Sequence, residues 1–389
     1  MTSLLLILWI IVGAVHLGIP LGYFGVMRRL GARRDYGVKQ SPIEPQVTII
    51  IPTYNEEAVI VKKLVNLVES DYPSDKLEII VTDGGSNDRT VELAREFIEQ
   101  KGLVGRVFTH RERRGKSYDV NLGLAAAKYD LICLSDAECM WNREALRNAL
   151  KYMADPAVGS VTGVHLIERP GETLSHNIEG SYRGVYRMLR IAESKLHSTP
   201  VAEAEIQVFR HGDIKEVDPR VGADDTCIAL CVVDKGLRAI AAENVLFYDP
   251  TPPTWYSRFR QKFRRGQHIL QAFLKHRGLI FGRGIFSKLI FPMEFFMYVL
   301  NPIIFPSFLF LTGWVMITNL FLAMLVAAGL LIVVLVPSLR TSLTTHVTNN
   351  LIMLTALIQE ARGEKHLVWT KIDETRVADD KTEIPLINN

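Results

Sequence analysis

Three acidic clusters and one basic cluster stand where side chains of their type can do chemistry. Asp136 and Glu138 follow the apolar run Asp130 to Ser135 (DLICLS), so in extended geometry both carboxylates point to one side. Two such anions repel when buried together, and a divalent cation between them relieves the repulsion. An oxygen-only donor set favours Mg2+ or Mn2+, and the ion would neutralise charge building up on a departing diphosphate. A solvated acidic loop is the bland alternative. Asp224 and Asp225 follow Gly222 and open a helical run from Thr226 to Val233. Acids there can simply cap the helix, or one can take the proton of an acceptor hydroxyl. The turn Asp83-Gly84-Gly85-Ser86-Asn87-Asp88 allows close backbone approach, with an acid able to accept hydrogen bonds from a base or ribose. Turns of this composition also merely connect elements. Gln261, Lys262, Phe263, Arg264 and Arg265 lie in a basic, apolar stretch from Trp255 to Lys275. Its arginine forks suit a diphosphate or an acceptor phosphate, and the same stretch suits an amphipathic helix on a membrane surface.

These groups need a scaffold, and the hydrophobic pattern supplies one. Val47 to Pro52 (VTIIIP) reads as a buried parallel strand, and Ala58 to Val68 has helical spacing. A second strand at Leu77 to Thr82 runs into the Asp83 turn, and a helix follows from Thr90 to Gln100. Further strands fit Arg106 to His110 and Asp130 to Ser135. That alternation predicts an α/β fold with a mostly parallel sheet. In such sheets ligands bind beyond the carboxyl ends of the strands, where the acidic clusters gather.

The chain has 389 residues, is 48% hydrophobic and carries a net charge of only +3, which speaks against nucleic acid as a partner. Its apolar residues concentrate before residue 27 and between Ile285 and Pro337. The run from Leu4 to Met27 is uncharged and long enough for a span of about 20 residues. It lacks the basic start and small-residue cleavage site of a signal peptide. Arg28, Arg29, Arg33 and Arg34 follow it, which puts the next residues in the cytoplasm. Two further spans are expected at Leu289 to Val315 and Leu320 to Val336, and the run from Leu343 to Ile358 reads as interfacial. The organisation expected is an anchor at 1–27, a cytoplasmic catalytic domain at 45–250 and amphipathic helices at 251–284. Two spans at 285–337 and an interfacial helix with cytoplasmic tail at 338–389 complete it. Leu174 to His197, with Tyr182, Tyr186 and Leu189 on one side, suits either an interface helix or core packing. Cys133, Cys139, Cys227 and Cys231 read as reduced thiols, and His110, His165 and His211 show no metal-ligand spacing.

The ordered set VTIIIPTYNEE, Asp83-Gly-Gly-Ser-Asn-Asp, Arg114-Gly-Lys-Ser with Asn121, Ser135-Asp-Ala-Glu, Asp224-Asp225 and Gln261-x-x-Arg264 resembles the family 2 inverting glycosyltransferases. In particular it resembles the membrane-bound branch of cellulose, chitin, hyaluronan and poly-N-acetylglucosamine synthases, over about residues 45 to 270. It implies a GT-A, Rossmann-like fold on a multi-pass membrane protein. The implied partners are a nucleotide-sugar donor, with a UDP-sugar preferred, a lipid-linked or polysaccharide acceptor, and membrane lipid. By position it makes Thr53, Tyr54 and Glu56 nucleotide-pocket residues, Asp83 the holder of uracil, and Lys116 a neighbour of the diphosphate. Asp136 and Glu138 stand at the metal-binding Asp-x-Asp, Asp225 at the catalytic base, and Gln261 and Arg264 at the start of Gln-x-x-Arg-Trp.

Three departures qualify this. Glu138 replaces the second aspartate, Ala223-Asp224-Asp225 replaces Thr-Glu-Asp, and Arg265 stands where a tryptophan serves the acceptor in polymerising members. The last points away from a processive synthase, and no PilZ-like domain follows the last expected span. The competing reading is a membrane scaffold or transporter with a nucleotide-sensing domain. It would leave all three acidic clusters idle, and its sole carboxylate candidate, Glu294 near the start of the second span, suits a cytoplasmic interface.

Overall fold

The computed structural model describes residues 2–166, 174–249 and 254–364. Eight strands make one sheet: β1 Val47–Thr53, β2 Leu77–Asp83, β3 Gly105–Thr109, β4 Leu131–Leu134, β5 Met140–Trp141, β6 Val158–His165, β7 Gln207–Arg210 and β8 Arg238–Tyr248. Their order is β3-β2-β1-β4-β7-β6-β8-β5. The first four strands are mutually parallel, β6 pairs parallel with β8, and β5 and β7 run antiparallel to their neighbours. The fold is the mostly parallel, GT-A-like sheet expected. Its four later strands lacked a clear signal because they are reached through long, mixed segments.

Both faces of β1 are buried, which explains its unbroken β-branched run. Ile49 and Ile51 pack into a core shared with the helices Ile60–Val68, Thr90–Gln100 and Ala145–Met153. Ile50 turns to the other side, among Val120, Leu124, Ile228 and Leu270. Gly123 exists for that second contact: a β-carbon there would stand 2.5 Å from the Ile50 side chain. All four cysteines are free, and Cys133, Cys139 and Cys227 are buried.

Two continuous helices are long and apolar enough to cross a membrane, Leu4–Gly31 and Phe286–Thr318. The count rises to three if the helices Leu320–Leu335 and Pro337–Ala361 form one broken span, since they bend by 109° where they meet. Leu320–Leu335 has only 16 residues, so by itself it reaches about 24 Å at 1.5 Å per residue. The segment expected at the interface, Leu343 to Ile358, belongs to the long Pro337–Ala361 helix, which lies against Trp255–Lys275.

The helical bundle is tied to the sheet domain at specific points. Gly31 meets Ala192 so closely that a β-carbon would lie 2.5 Å from the alanine side chain. Tyr23 donates to Glu193 at 2.6 Å. Within the bundle the buried His16 bonds the buried Asn301 at 2.7 Å and the half-buried His346 at 3.0 Å, joining three helices through polar groups. Tyr186, on the helix Leu174–Leu196, faces Tyr298 and the second core, so this part of the helix serves packing. The side chain of Tyr182 and the tail from residue 365 lie outside the described residues.

Candidate active site

The carboxyl ends of β1, β2 and β4 open onto a cavity of about 160 Å3. Among its lining residues is Lys116, first residue of the helix Lys116–Ala126, preceded by Gly115 at φ 95°. A left-handed turn there needs glycine. The Lys116 ammonium lies 2.7 Å from Asp136 Oδ1 and 3.5 Å from Asp224 Oδ2. Burial works against the lysine's charge, yet Asp136, Asp224 and Asp225 outweigh it and hold its pKa above the ordinary value. Burial also opposes ionisation of Asp136, and Lys116 reverses that, keeping Asp136 below the usual aspartate range.

Asp225 is in the first turn of the helix Asp224–Asp234 and lines the same cavity. Its Oδ1 accepts from the Thr226 N–H at 2.6 Å, and its carbonyl accepts from Gln207 Nε2 at 3.0 Å. Burial raises its pKa, with Lys116 pulling down and Asp136 pushing up. Burial pushes its buried neighbour Asp224 up to about 6 in the same way. An elevated but still titratable carboxyl, open to the cavity, is what a general base requires.

The Asp136–Glu138 turn is braced from behind by a residue that motif reading passes over. Lys63 is wholly buried, donates to the Cys139 carbonyl at 2.7 Å and sits 4.4 Å from the centre of the Trp141 ring. Burial lowers its pKa to about 8. Both Asp136 and Glu138 face the cavity, and their oxygen donors suit a hard divalent cation. Among the described residues, the group of three whose ligand atoms lie within 4.8 Å of one another is a different one, His165, Glu205 and Asp249. That group is already threaded by arginines. Arg265 lies 3.3 Å from Glu205 and 3.4 Å from Asp249, Arg183 lies 3.6 Å from Asp249, and Arg190 pairs with Glu203. Arg183 donates to His165 Nδ1 at 3.2 Å, and burial with these cations drives the imidazole's pKa well down. Burial pushes Glu205 up to about 7, against Arg265.

Of the residues singled out from sequence, Thr53, Tyr54, Lys116, Asp136, Glu138, Asp225, Arg264 and Arg265 line the cavity. Glu56, Asp83 and Gln261 do not. Glu56 is buried beside the start of a helix, its N–H bonded to Thr90 Oγ1 at 2.7 Å. Asp83 is also wholly buried, and its oxygens accept from the Gly85 N–H at 3.0 Å, the Ser86 N–H at 2.9 Å and the Thr53 and Thr109 hydroxyls at 3.2 and 3.1 Å. The Ser86 hydroxyl bonds it too. This carboxylate organises the turn. Asp119, Arg190, Glu203 and Glu205 line the cavity unannounced. The one available signal was Glu203-Ala204-Glu205, which repeats the i, i+2 acid spacing of Asp136 and Glu138.

The description of glycosyl transferase family 2 matches residues 48–217. The mannosyltransferase PcManGT from Pyrobaculum calidifontis, solved with GDP-Man and Mn2+, matches with a TM-score of 0.79 at 31% identity, covering 93% of this chain and 100% of that one. This chain belongs to glycosyl transferase family 2. Among curated relatives, the probable glycosyltransferase YdaM of Bacillus subtilis (strain 168) is 29% identical over 311 residues, 75% of this chain and 70% of its own. A poly-beta-1,6-N-acetyl-D-glucosamine synthase of Staphylococcus aureus (strain COL) is 23% identical over 225 residues, 57% of this chain and 54% of its own.

Proposed function

We propose that this glycosyltransferase sits on a membrane by its N-terminal and C-terminal helices, with its sheet domain in the cytoplasm. There it moves one hexose from a nucleoside-diphosphate sugar to a hydroxyl of a lipid-linked acceptor, inverting the anomeric centre. The observation that carries this reading is the convergence of Lys116, Asp136, Asp225 and the Arg264–Arg265 pair on one cavity. Lys116, charged despite its burial, holds the donor diphosphate, and the Arg264 fork takes the oxygens on its other side, leaving Arg265 to the acceptor. Asp225 takes the acceptor hydroxyl proton as that oxygen attacks, and one in-line displacement inverts the centre. Asp136 and Glu138 would hold Mg2+ or Mn2+, which supplies electrostatic stabilisation to the leaving diphosphate.

The similarity to a mannosyltransferase solved with GDP-Man supports GDP-mannose as the donor. UDP-hexoses, implied by the motif resemblance, form the comparison arm. The acceptor reading draws support from the membrane-capable helices and from Arg265 in place of the tryptophan of polymerising relatives.

The test is nucleoside diphosphate release by the full chain in lipid nanodiscs, with Mn2+ present or chelated, from GDP-mannose and a UDP-hexose panel. Metal-dependent release that Asp225→Asn abolishes supports the reading. Silence with every donor and with lipid acceptors supplied would sink it in favour of a sensor or scaffold.

A further inference from the structure

The first membrane-capable helix ends at Gly31, and the second begins at Phe286. These two ends stand side by side. Tyr23 and Met27 form one apolar cluster with Leu189 and Ala192 of the sheet domain's long helix, and Leu289, Met293 and Met297 pack against it. Charges next to the two ends therefore lie at one height, on the side where the sheet domain is attached. From the first helix come Arg28, Arg29, Arg33 and Arg34, and from the approach to the second come Arg277, Arg283 and Lys288. All are exposed, and none has an ion-pair partner among the described residues, whereas the nearby Lys275 is tied to Asp218 at 3.0 Å. Acids are scarce here: Asp35 is the sole one from Met27 to Lys39, and there is none from Lys275 to Lys288. Like charges gathered without counter-ions repel, so the arrangement calls for an anionic surface facing it. The second basic segment also holds two bare apolar side chains, Phe281 at 84% exposure and Ile285 at 38%. Apolar groups flanked by cations suit the boundary between lipid headgroups and acyl chains.

We propose that the two basic segments form one collar that binds anionic phospholipid headgroups, with Phe281 and Ile285 set into the acyl region beside them. The collar would gather acidic lipid around the enzyme and hold the sheet domain against that surface. Its attraction is electrostatic, so it weakens as salt shortens the reach of the charges. The inference rests on the membrane placement above and goes beyond it, since spanning alone calls for no particular headgroup.

The experiment is native mass spectrometry of the full chain in uncharged detergent, supplied with equimolar phosphatidylglycerol and phosphatidylcholine of the same acyl chains. Wild type should retain phosphatidylglycerol about tenfold or more over phosphatidylcholine, since each Lys or Arg near an anionic surface contributes about fivefold in affinity. Replacing Arg28, Arg29, Arg33 and Arg34 together by Gln should cut that ratio about tenfold or more. Lys101→Gln, at an exposed site of the sheet domain, should leave it unchanged. Phe281→Ser should lower the total lipid retained while the headgroup ratio holds. Should the fourfold variant not fold, wild type is measured as ammonium acetate rises from about 0.05 to about 0.5 M, where the preference should collapse. Equal retention of both lipids by wild type, a ratio the fourfold variant leaves intact, or a preference insensitive to salt overturns the collar while the membrane placement stands. A chain that stays soluble and monomeric without detergent or lipid removes the membrane placement and the collar together.

Discussion

The two halves of the cavity are stabilised differently. On the donor side, the buried acids are held by hydrogen bonds, with Thr53 and Thr109 on adjoining strands joining partners close in the chain. Asp83 bonds Gly85 and Ser86 within its own turn, and Asp119 bonds His110 nine residues away. On the acceptor side, Glu203, Glu205 and Asp249 are balanced by Arg183, Arg190 and Arg265, which come from two long helices. A local hydrogen-bonded turn has one geometry. A lattice of carboxylates and guanidiniums can exchange partners at little cost when a charged ligand enters, because Arg265 already has two anions in reach. The donor half is therefore expected to bind in its existing shape, and the acceptor half to rearrange.

Asp225→Asn, on the boundary between the halves, should have the largest effect. With a hydroxyl acceptor it should lower kcat by about 100- to 10,000-fold at near-normal donor KM, measured by nucleoside diphosphate release under saturating acceptor. A phosphate acceptor is already ionised and needs no base, so a loss of less than about tenfold would move the acceptor to a lipid phosphate. Lys116→Met comes next, and it breaks the donor half. It leaves Asp136 and the buried Asp224 without their shared cation, a change worth about 3–5 kcal/mol when a buried pair loses one partner. The drop should appear in denaturant midpoints of the nanodisc-bound protein, and Mn2+ should restore part of it. Absence of any Mn2+ effect would argue against Asp136 as a metal ligand.

The same contrast governs what could be read from sequence. The four parallel strands and their terminal polar groups were legible because apolar runs and turn residues alternate at short spacing over residues 47 to 138. Lys116, Asp136, Glu138 and Asp225 were legible because each sits at an element boundary where its charge is conspicuous. His165, Glu205 and Asp249 were not, since they are brought together by antiparallel and crossover pairing of β6, β7 and β8 that no local pattern encodes. Asp83 carries a role that its place in a glycine turn does not announce. Its oxygens hold the turn together through Gly85 and Ser86 and tie it to the hydroxyls of Thr53 and Thr109.

Arg265→Ala sharpens the comparison from the acceptor side. It removes a cation shared by Glu205 and Asp249. Because that guanidinium is partly exposed, the stability loss should stay within about 1 kcal/mol. Acceptor KM should rise several-fold while donor binding by calorimetry changes little. An equal loss in both would mean that Arg265 serves donor and acceptor alike and that the halves are not separable.

The smallest effect expected is on the pH profile, where the sign follows from the role given to Asp225. A general base works only when ionised, so activity must fall as pH drops through its pKa. Burial raises that pKa above the ordinary aspartate value, with Asp136 adding to the rise and Lys116 opposing it. The acid limb of kcat/KM should therefore lie above the range of an exposed aspartate. Removing the Lys116 charge should push it further up, since one of the forces favouring the carboxylate is gone. Lys116→Met measured between pH 5 and 8 checks this directly. A limb that moved down, or stayed in place while wild type kept an ordinary aspartate profile, would take the base role away from Asp225 and leave Asp224, its buried neighbour, to be tested by the same measurement.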